Sequence, residues 1–194
     1  MWWVELLNSF VSVLDSGGAG GAAGSFESIA TTTLTGNQAT VTFSGIPSTY
    51  KHLQIRVLAR TATVTNVGFG YLQFNSDTGS NYARHYIIGN GTSASAAGGS
   101  SASSMWCLYY SGASISTSTY GVGIIDVHDY ASTTKNKTIR SFTGMDGNTG
   151  ITTSTLLLES GVWLNTAAVT SLTISGDFDY ASGSVFSLYG IKGA

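Results

Sequence analysis

The chain is poor in charge: 8 Lys and Arg stand against 10 Asp and Glu, only 9% of its 194 residues, for a formal net charge of −2. These few charges are scattered, so no basic stripe exists to neutralise phosphates, and nucleic-acid binding is disfavoured. A single cysteine leaves no internal disulfide and excludes a disulfide-stapled scaffold. No apolar run reaches the roughly 18 residues of a membrane-spanning helix. The start, Met1-Trp2-Trp3-Val4-Glu5-Leu6-Leu7, lacks a positive n-region, and no small-residue cleavage site precedes Asp15, which argues against a signal peptide. What the chain does have is 42% hydrophobic residues, 25 glycines and abundant Ser and Thr. That is enough apolar material to fold. A free-standing domain, however, carries about 25% charged residues. An exterior of Ser, Thr, Gly and Asn suits surfaces that lie against other protein, as in an assembly subunit; a secreted sandwich with a neutral, hydroxyl-rich exterior is the alternative left open by composition.

Residues 2–14 put Trp3, Leu6, Leu7, Phe10, Val13 and Leu14 on one side at helical spacing and Glu5, Asn8, Ser9 and Ser12 on the other. The spacing predicts a short amphipathic helix. Gly17 and Gly18 stop it, and Gly17 to Ser25 has the composition of a flexible linker. Three units result: a docking helix over 1–16, a Gly/Ala-rich linker over 17–25 and a body over 26–194. A helix of about four turns is marginal alone, so Trp2, Trp3, Leu6, Leu7, Phe10, Val13 and Leu14 are expected to bury themselves on a partner protein, which the linker's reach favours over the chain's own body.

From Phe26 onward the pattern is β. Alternation such as Leu53, Ile55, Val57 and Ala59 against His52, Gln54, Arg56 and Leu58 marks half-buried strands. Strands are predicted over 26–34, 38–44, 50–61, 67–75, 82–88, 105–110, 120–129, 136–143, 154–164, 169–175 and 184–191. Turn signals such as Asn75-Ser76-Asp77-Thr78-Gly79 and Ser175-Gly176-Asp177 separate them. With no helical period after residue 15, the fold class is all-β: an antiparallel β-sandwich, jelly-roll-like, preceded by the N-terminal helix on its Gly-rich arm. The low-complexity stretch Asn90 to Ser104 reads as a long loop.

Chemistry-bearing residues are few. Cys107, inside the apolar run Met105 to Tyr110, is expected to be a small buried hydrophobe rather than a nucleophile. Asp126 and His128 share a strand face and Asp129 follows, a set that suits a metal or general base but equally a strand-end hydrogen-bonding group. No second ligand cluster has a recognisable spacing, so no metal or other cofactor is expected. Asp177 and Asp179 suit a turn, a Ca²⁺ loop or paired glycosidase carboxylates. His52 and His85, beside Arg56 and Arg84, have no identifiable nucleophile to serve. Tyr82, Tyr109, Tyr110, Tyr120, Tyr130 and Tyr180 are stacking platforms for sugars or ordinary strand packing; Asp129, Tyr130, Asp177, Asp179 and Tyr180, at expected loop tips, form the candidate ligand-contact set.

Tyr50-Lys51-His52-Leu53-Gln54-Ile55-Arg56, Leu72 to Tyr82 and the terminal Phe186-Ser187-Leu188-Tyr189-Gly190-Ile191-Lys192-Gly193-Ala194 resemble recurring phrases of accessory virion proteins of tailed bacteriophages. The likeness covers most of 38–194 but not the arm. It implies a small β-sandwich on a capsid head, neck, tail or baseplate, homo-oligomeric and often trimeric, as a decoration or cement protein or part of a fibre. The expectation is thus a non-enzymatic virion protein docked on a capsid or tail component through residues 1–16. A receptor- or host-glycan-binding fibre module is the alternative. A polysaccharide hydrolase using Asp126 or Asp177 is the third reading.

Overall fold

The computed structural model describes residues 24–147 and 154–193. The docking helix and most of the linker predicted for the N-terminus lie outside them. Among the described residues there are twelve strands and no helix, so none is long and apolar enough to cross a membrane. The strands are β1 (Phe26–Thr33), β2 (Gln38–Ser44), β3 (His52–Ala59), β4 (Val67–Phe74), β5 (Tyr82–Gly89), β6 (Ala94–Ala102), β7 (Met105–Ser111), β8 (Gly121–His128), β9 (Lys137–Met145), β10 (Thr155–Trp163), β11 (Ser171–Tyr180) and β12 (Val185–Ile191). They form an eight-stranded sheet, β1-β12-β3-β8-β9-β10-β5-β6, and a four-stranded one, β2-β11-β4-β7. Every pairing between these strands is antiparallel. The body is a β-sandwich.

The alternation read from β3 holds: Leu53, Ile55, Val57 and Ala59 are buried, while their neighbours His52, Gln54, Arg56 and Leu58 line the other face. The core joins these residues with Ile125, Val127, Ile139, Trp163, Phe186 and Leu188 from the large sheet to Val41, Phe43, Leu72, Phe74, Leu172 and Ile174 from the small one. At roughly 1.5–3 kcal/mol per fully buried side chain of this type, this layer outweighs any surface ion pair.

Two predictions are corrected. The stretch Asn90 to Ser104 is not a long loop: Ala94–Ala102 forms edge strand β6, paired with β5 from Tyr82↔Ala102 to Gly89↔Ala94. Its Ala, Gly and Ser carry no hydrophobic alternation because β6 projects beyond the smaller sheet, and almost all of it is exposed. Secondly, Ser175-Gly176-Asp177 is no turn. β11 continues through it to Tyr180, with its pairing to β2 shifted between Ser175 and Tyr180. An irregularity in a strand uses the same residue types as a turn, and only the partner strands distinguish them.

β7 lies unusually close over the large sheet. A Cβ on Gly121 would stand 2.7 Å from the Tyr110 Cα, and one on Gly161 would stand 2.2 Å from the Met105 Sδ. A side chain at 121 would push the β7 backbone away, and one at 161 would displace the Met105 side chain, so glycine at 121 sets the approach. The β4–β7 pairing also shifts register between Gly70 and Tyr71, where Cys107 is left out of the pairing. Cys107 is fully buried, as expected.

The phrase Leu72 to Tyr82 is a structural knot. Asn75 and Ser76 adopt φ of 50° and 56°, a conformation that suits Asn's short polar side chain. The Asn75 Oδ1 accepts the Thr170 and Ser171 N–H groups at 2.9 and 3.1 Å. Asp77 accepts the Gly79 N–H, the Asn81 amide and, at 2.7 Å, the indole N–H of buried Trp163. Trp163 leads among these donors in holding the Asp77 carboxyl below its ordinary value.

Candidate functional site

The candidate docking residues Trp2, Trp3, Leu6, Leu7, Phe10, Val13 and Leu14 lie outside the described residues. Within the ligand-contact set, the structure contradicts the two tyrosines. Tyr130 and Tyr180 are fully buried: the Tyr130 hydroxyl donates to the Pro47 carbonyl, and Tyr180 packs between Tyr110 and Phe186. Neither presents a ring to solvent. An aromatic next to a turn acid points inward as readily as outward, and here the core claims both. Asp129 does follow β8, at φ 49°, where Lys135 and Lys51 bind it at 2.7 and 2.9 Å. These ammonium groups, Lys135 foremost, hold its carboxyl well below the usual range. Asp177 is not on a loop tip; its Oδ1 accepts the Phe69 N–H and the Tyr110 hydroxyl, clamping the irregular part of β11. Asp179 is exposed on the same strand.

Of the remaining candidates, His52 and His128 are brought together beside Asp129. Asp126 pairs with Arg140 at 3.1 Å and accepts from Gln54. The His128 ring meets the His52 ring edge-on at 5.0 Å, and His52 Nδ1 accepts the Asp129 N–H; burial, then His128, pushes the His52 pKa down. His85 and Arg84 occupy opposite faces of β5. Among the described residues no group of three or more His, Cys, Asp or Glu is placed to hold a metal ion. Tyr82 and Tyr110 are buried as well.

Sequence reasoning missed the most unusual polar arrangement, at the mouth between the sheets where β5 and β6 overhang β7. Arg84 projects inward from β5, and its guanidinium lies 4.4 Å from the Trp106 ring centre and 5.2 Å from that of Tyr86. Phe69, Tyr86 and Tyr109 pack around Trp106 at 5.0–5.3 Å. Below them lies Glu159 of β10, its side chain wholly inaccessible. The Arg84 Nη1 stands 3.6 Å from the Glu159 Oε1, within ion-pair range but too far for a hydrogen bond. Among the described residues neither Glu159 oxygen has a hydrogen-bond partner, nor has the Arg84 Nη1 or the Trp106 indole N–H. Burial pushes the Glu159 pKa up to about 8 against the pull of Arg84. The available signal was phase: Glu159 alternates with Leu157, Gly161 and Trp163, all inward positions.

The second feature is the outer face of the large sheet. Arg56, Ile124, Phe142, Leu158, Ile87 and Ala96 form one continuous cross-strand row, and Leu58, Val122, Gly144 and Leu156 the next. Ile87, Val122, Leu156 and Phe142 are 58%, 55%, 52% and 51% exposed, and Leu158, Leu58 and Ile124 between 40% and 47%. Arg56 ends the first row, and Asp126 and Arg140 pair in the row beside it.

No protein-family model matches the sequence, and no curated protein matches it significantly. Solved structures with similar strand arrangements include exo-inulinase from Aspergillus awamori (10% identity, TM-score 0.40, covering 84% of this chain and 29% of that one). A GH43 glycoside hydrolase is similar at 13% identity and TM-score 0.37, over 84% and 36% of the two chains. Galectin LEC-6 of Caenorhabditis elegans is similar at 8% identity and TM-score 0.34, over 84% and 96%. The chain thus spans about a third or less of the two hydrolases. At these scores the likenesses carry no functional argument.

Proposed function

We propose that the protein is a non-enzymatic structural component of a tailed-phage virion, a jelly-roll-like sandwich that assembles with further copies of itself. In this reading its N-terminal helix and Gly-rich arm anchor it to a capsid or tail component, in a decoration or cement role. The virion setting rests on the sequence resemblance. The observation that favours assembly is the outer face of the eight-stranded sheet, where seven large apolar side chains lie side by side. Scattered apolar residues are ordinary on a surface, but contiguous patches mark contact with protein. The scarcity of charge fits the same role. Covering even a few of these side chains contributes roughly 1.5–3 kcal/mol each before ordering costs.

Two experiments test this reading. The intact chain should run as an oligomer, a trimer on the resemblance, in light scattering coupled to gel filtration, and the double variant Phe142→Glu/Leu158→Glu should run as a folded monomer. A wild-type chain that stays monomeric at its highest soluble concentration removes the assembly reading. Deleting residues 1–16 should leave a folded body that no longer enters phage particles in a complementation assay; normal incorporation refutes the anchoring role.

A further inference from the structure

We propose that the mouth between the β5–β6 overhang and β7 binds a carboxylate-bearing sugar ring, with the Arg84 guanidinium as its anchor. This binding activity is additional to the assembly role and does not depend on it. The cavity here has about 430 Å³ and is lined by Tyr71, Ser80, Arg84, Ser101, Ser104 and Trp106, among others. Its size falls in the range of small-ligand sites.

Three properties choose the ligand class. First, the cation is partly open: the Arg84 side chain is 25% exposed, while Trp106 and Tyr86 lie against its guanidinium. Its exposed part offers N–H groups from which a planar carboxylate can accept. A single fixed cation suits one negative charge better than a phosphate dianion. Secondly, the rim carries the hydroxyls of Tyr71, Ser80, Ser101 and Ser104, which can both donate and accept, as a ring bearing several hydroxyls requires. Thirdly, the Trp106 indole N–H and the Arg84 Nη1 are buried and unpartnered among the described residues. Both are sealed from solvent, and Nη1 faces Glu159 at 3.6 Å, so they leave the guanidinium without an internal hydrogen bond that a ligand at its exposed part would have to break.

Glu159 controls the anchor. When protonated it leaves the guanidinium charge uncompensated; when ionised it competes with the ligand for Arg84 from 3.6 Å. The other titratable groups packed around this pair are Tyr86 on β5, Tyr71 on β4, and Cys107 and Tyr109 on β7. Burial pushes Cys107, Tyr109 and Tyr71 up, away from the pH range in which Glu159 titrates. His85 faces the other side of β5, beside Gly98.

Saturation-transfer NMR on the intact chain tests this, with glucuronate and N-acetylneuraminate as probes and glucose and acetate as controls. Below pH 8 both acidic sugars should bind in the millimolar range, glucose at least tenfold more weakly, and acetate should not displace them at equal concentration. Arg84→Met should abolish binding. Affinity should fall at least tenfold as pH rises through about 8, and Glu159→Gln should bind on both sides of that value without the fall. Equal binding of glucose, displacement by acetate as by a simple carboxylate or acidic peptide, undiminished binding by Arg84→Met, or a Glu159→Gln profile that still falls overturns the proposal.

Discussion

Replacing Lys137 by methionine should lower the melting temperature by roughly 5–10 °C, the largest loss of stability expected for a change outside the apolar core. Lys137 has no exposed surface, and its ammonium donates to the carbonyls of Ser132, Lys135 and Thr166 at 2.7, 2.7 and 3.1 Å. It thereby ties the segment after β8 to the segment after β10. Methionine fills the same channel but leaves three acceptors without their donor. Each lost charge-assisted hydrogen bond costs about 1–3 kcal/mol. Burial, which holds the Lys137 pKa below its ordinary value, means that removing the charge also relieves desolvation and offsets part of the loss. Water reaching the carbonyls of Lys135 and Thr166, both exposed residues, once the ammonium is gone offsets more, so about 2–3 kcal/mol remains. Thermal unfolding followed by circular dichroism measures it. A melting temperature equal to wild type would show that the three contacts contribute nothing.

Glu159→Gln should have the opposite sign and depend on pH. In the unfolded chain a glutamate releases its proton near pH 4.5, whereas the buried Glu159 keeps it until about pH 8. Between these values unfolding releases a proton, so rising pH destabilises the native state by up to about 1.4 kcal/mol per unit. The contribution is intact below pH 4.5 and lost as pH climbs through 8. Glutamine removes the titration. The variant should match wild type near pH 4.5 and exceed it by several kcal/mol above pH 8. Urea unfolding at the two ends of this window decides the matter. Parallel pH profiles for wild type and variant would mean that Glu159 is already ionised in the fold.

How far the sequence disclosed this molecule differed by element. Strands with one dry and one wet face were legible, because β2 sets Val41 and Phe43 against Thr40 and Thr42, β3 sets Leu53 and Ile55 against His52 and Gln54, and Gly45 and Pro47 mark the turn between them. β6 was illegible for the same physical reason: a strand that is almost wholly exposed needs no apolar phase, so its Ala, Gly and Ser resemble a linker. The outward Leu156 and Leu158 beside the inward Leu157 hide phase differently, by making both faces apolar. Tyr130 and Tyr180 were misplaced because a local turn signal cannot tell which way an aromatic ring points. The Arg84–Glu159 pair joins residues 75 positions apart in sequence, brought into contact by β5 pairing with β10. No spacing along the chain encodes that contact.

The adjacency of β1 and β12 carries a consequence for how the molecule comes into being. Residues such as Thr31 and Ser187, hydrogen-bonded across a separation of 156 positions, meet only after every strand from β1 to β12 has left the ribosome. Until then β3 has β8 beside it but lacks β12, and the emerging chain exposes ribbons with open edges. Maturation is therefore necessarily late and slow by the standards of helical proteins, and a prematurely terminated product lacks the strand that closes the large sheet against its first ribbon.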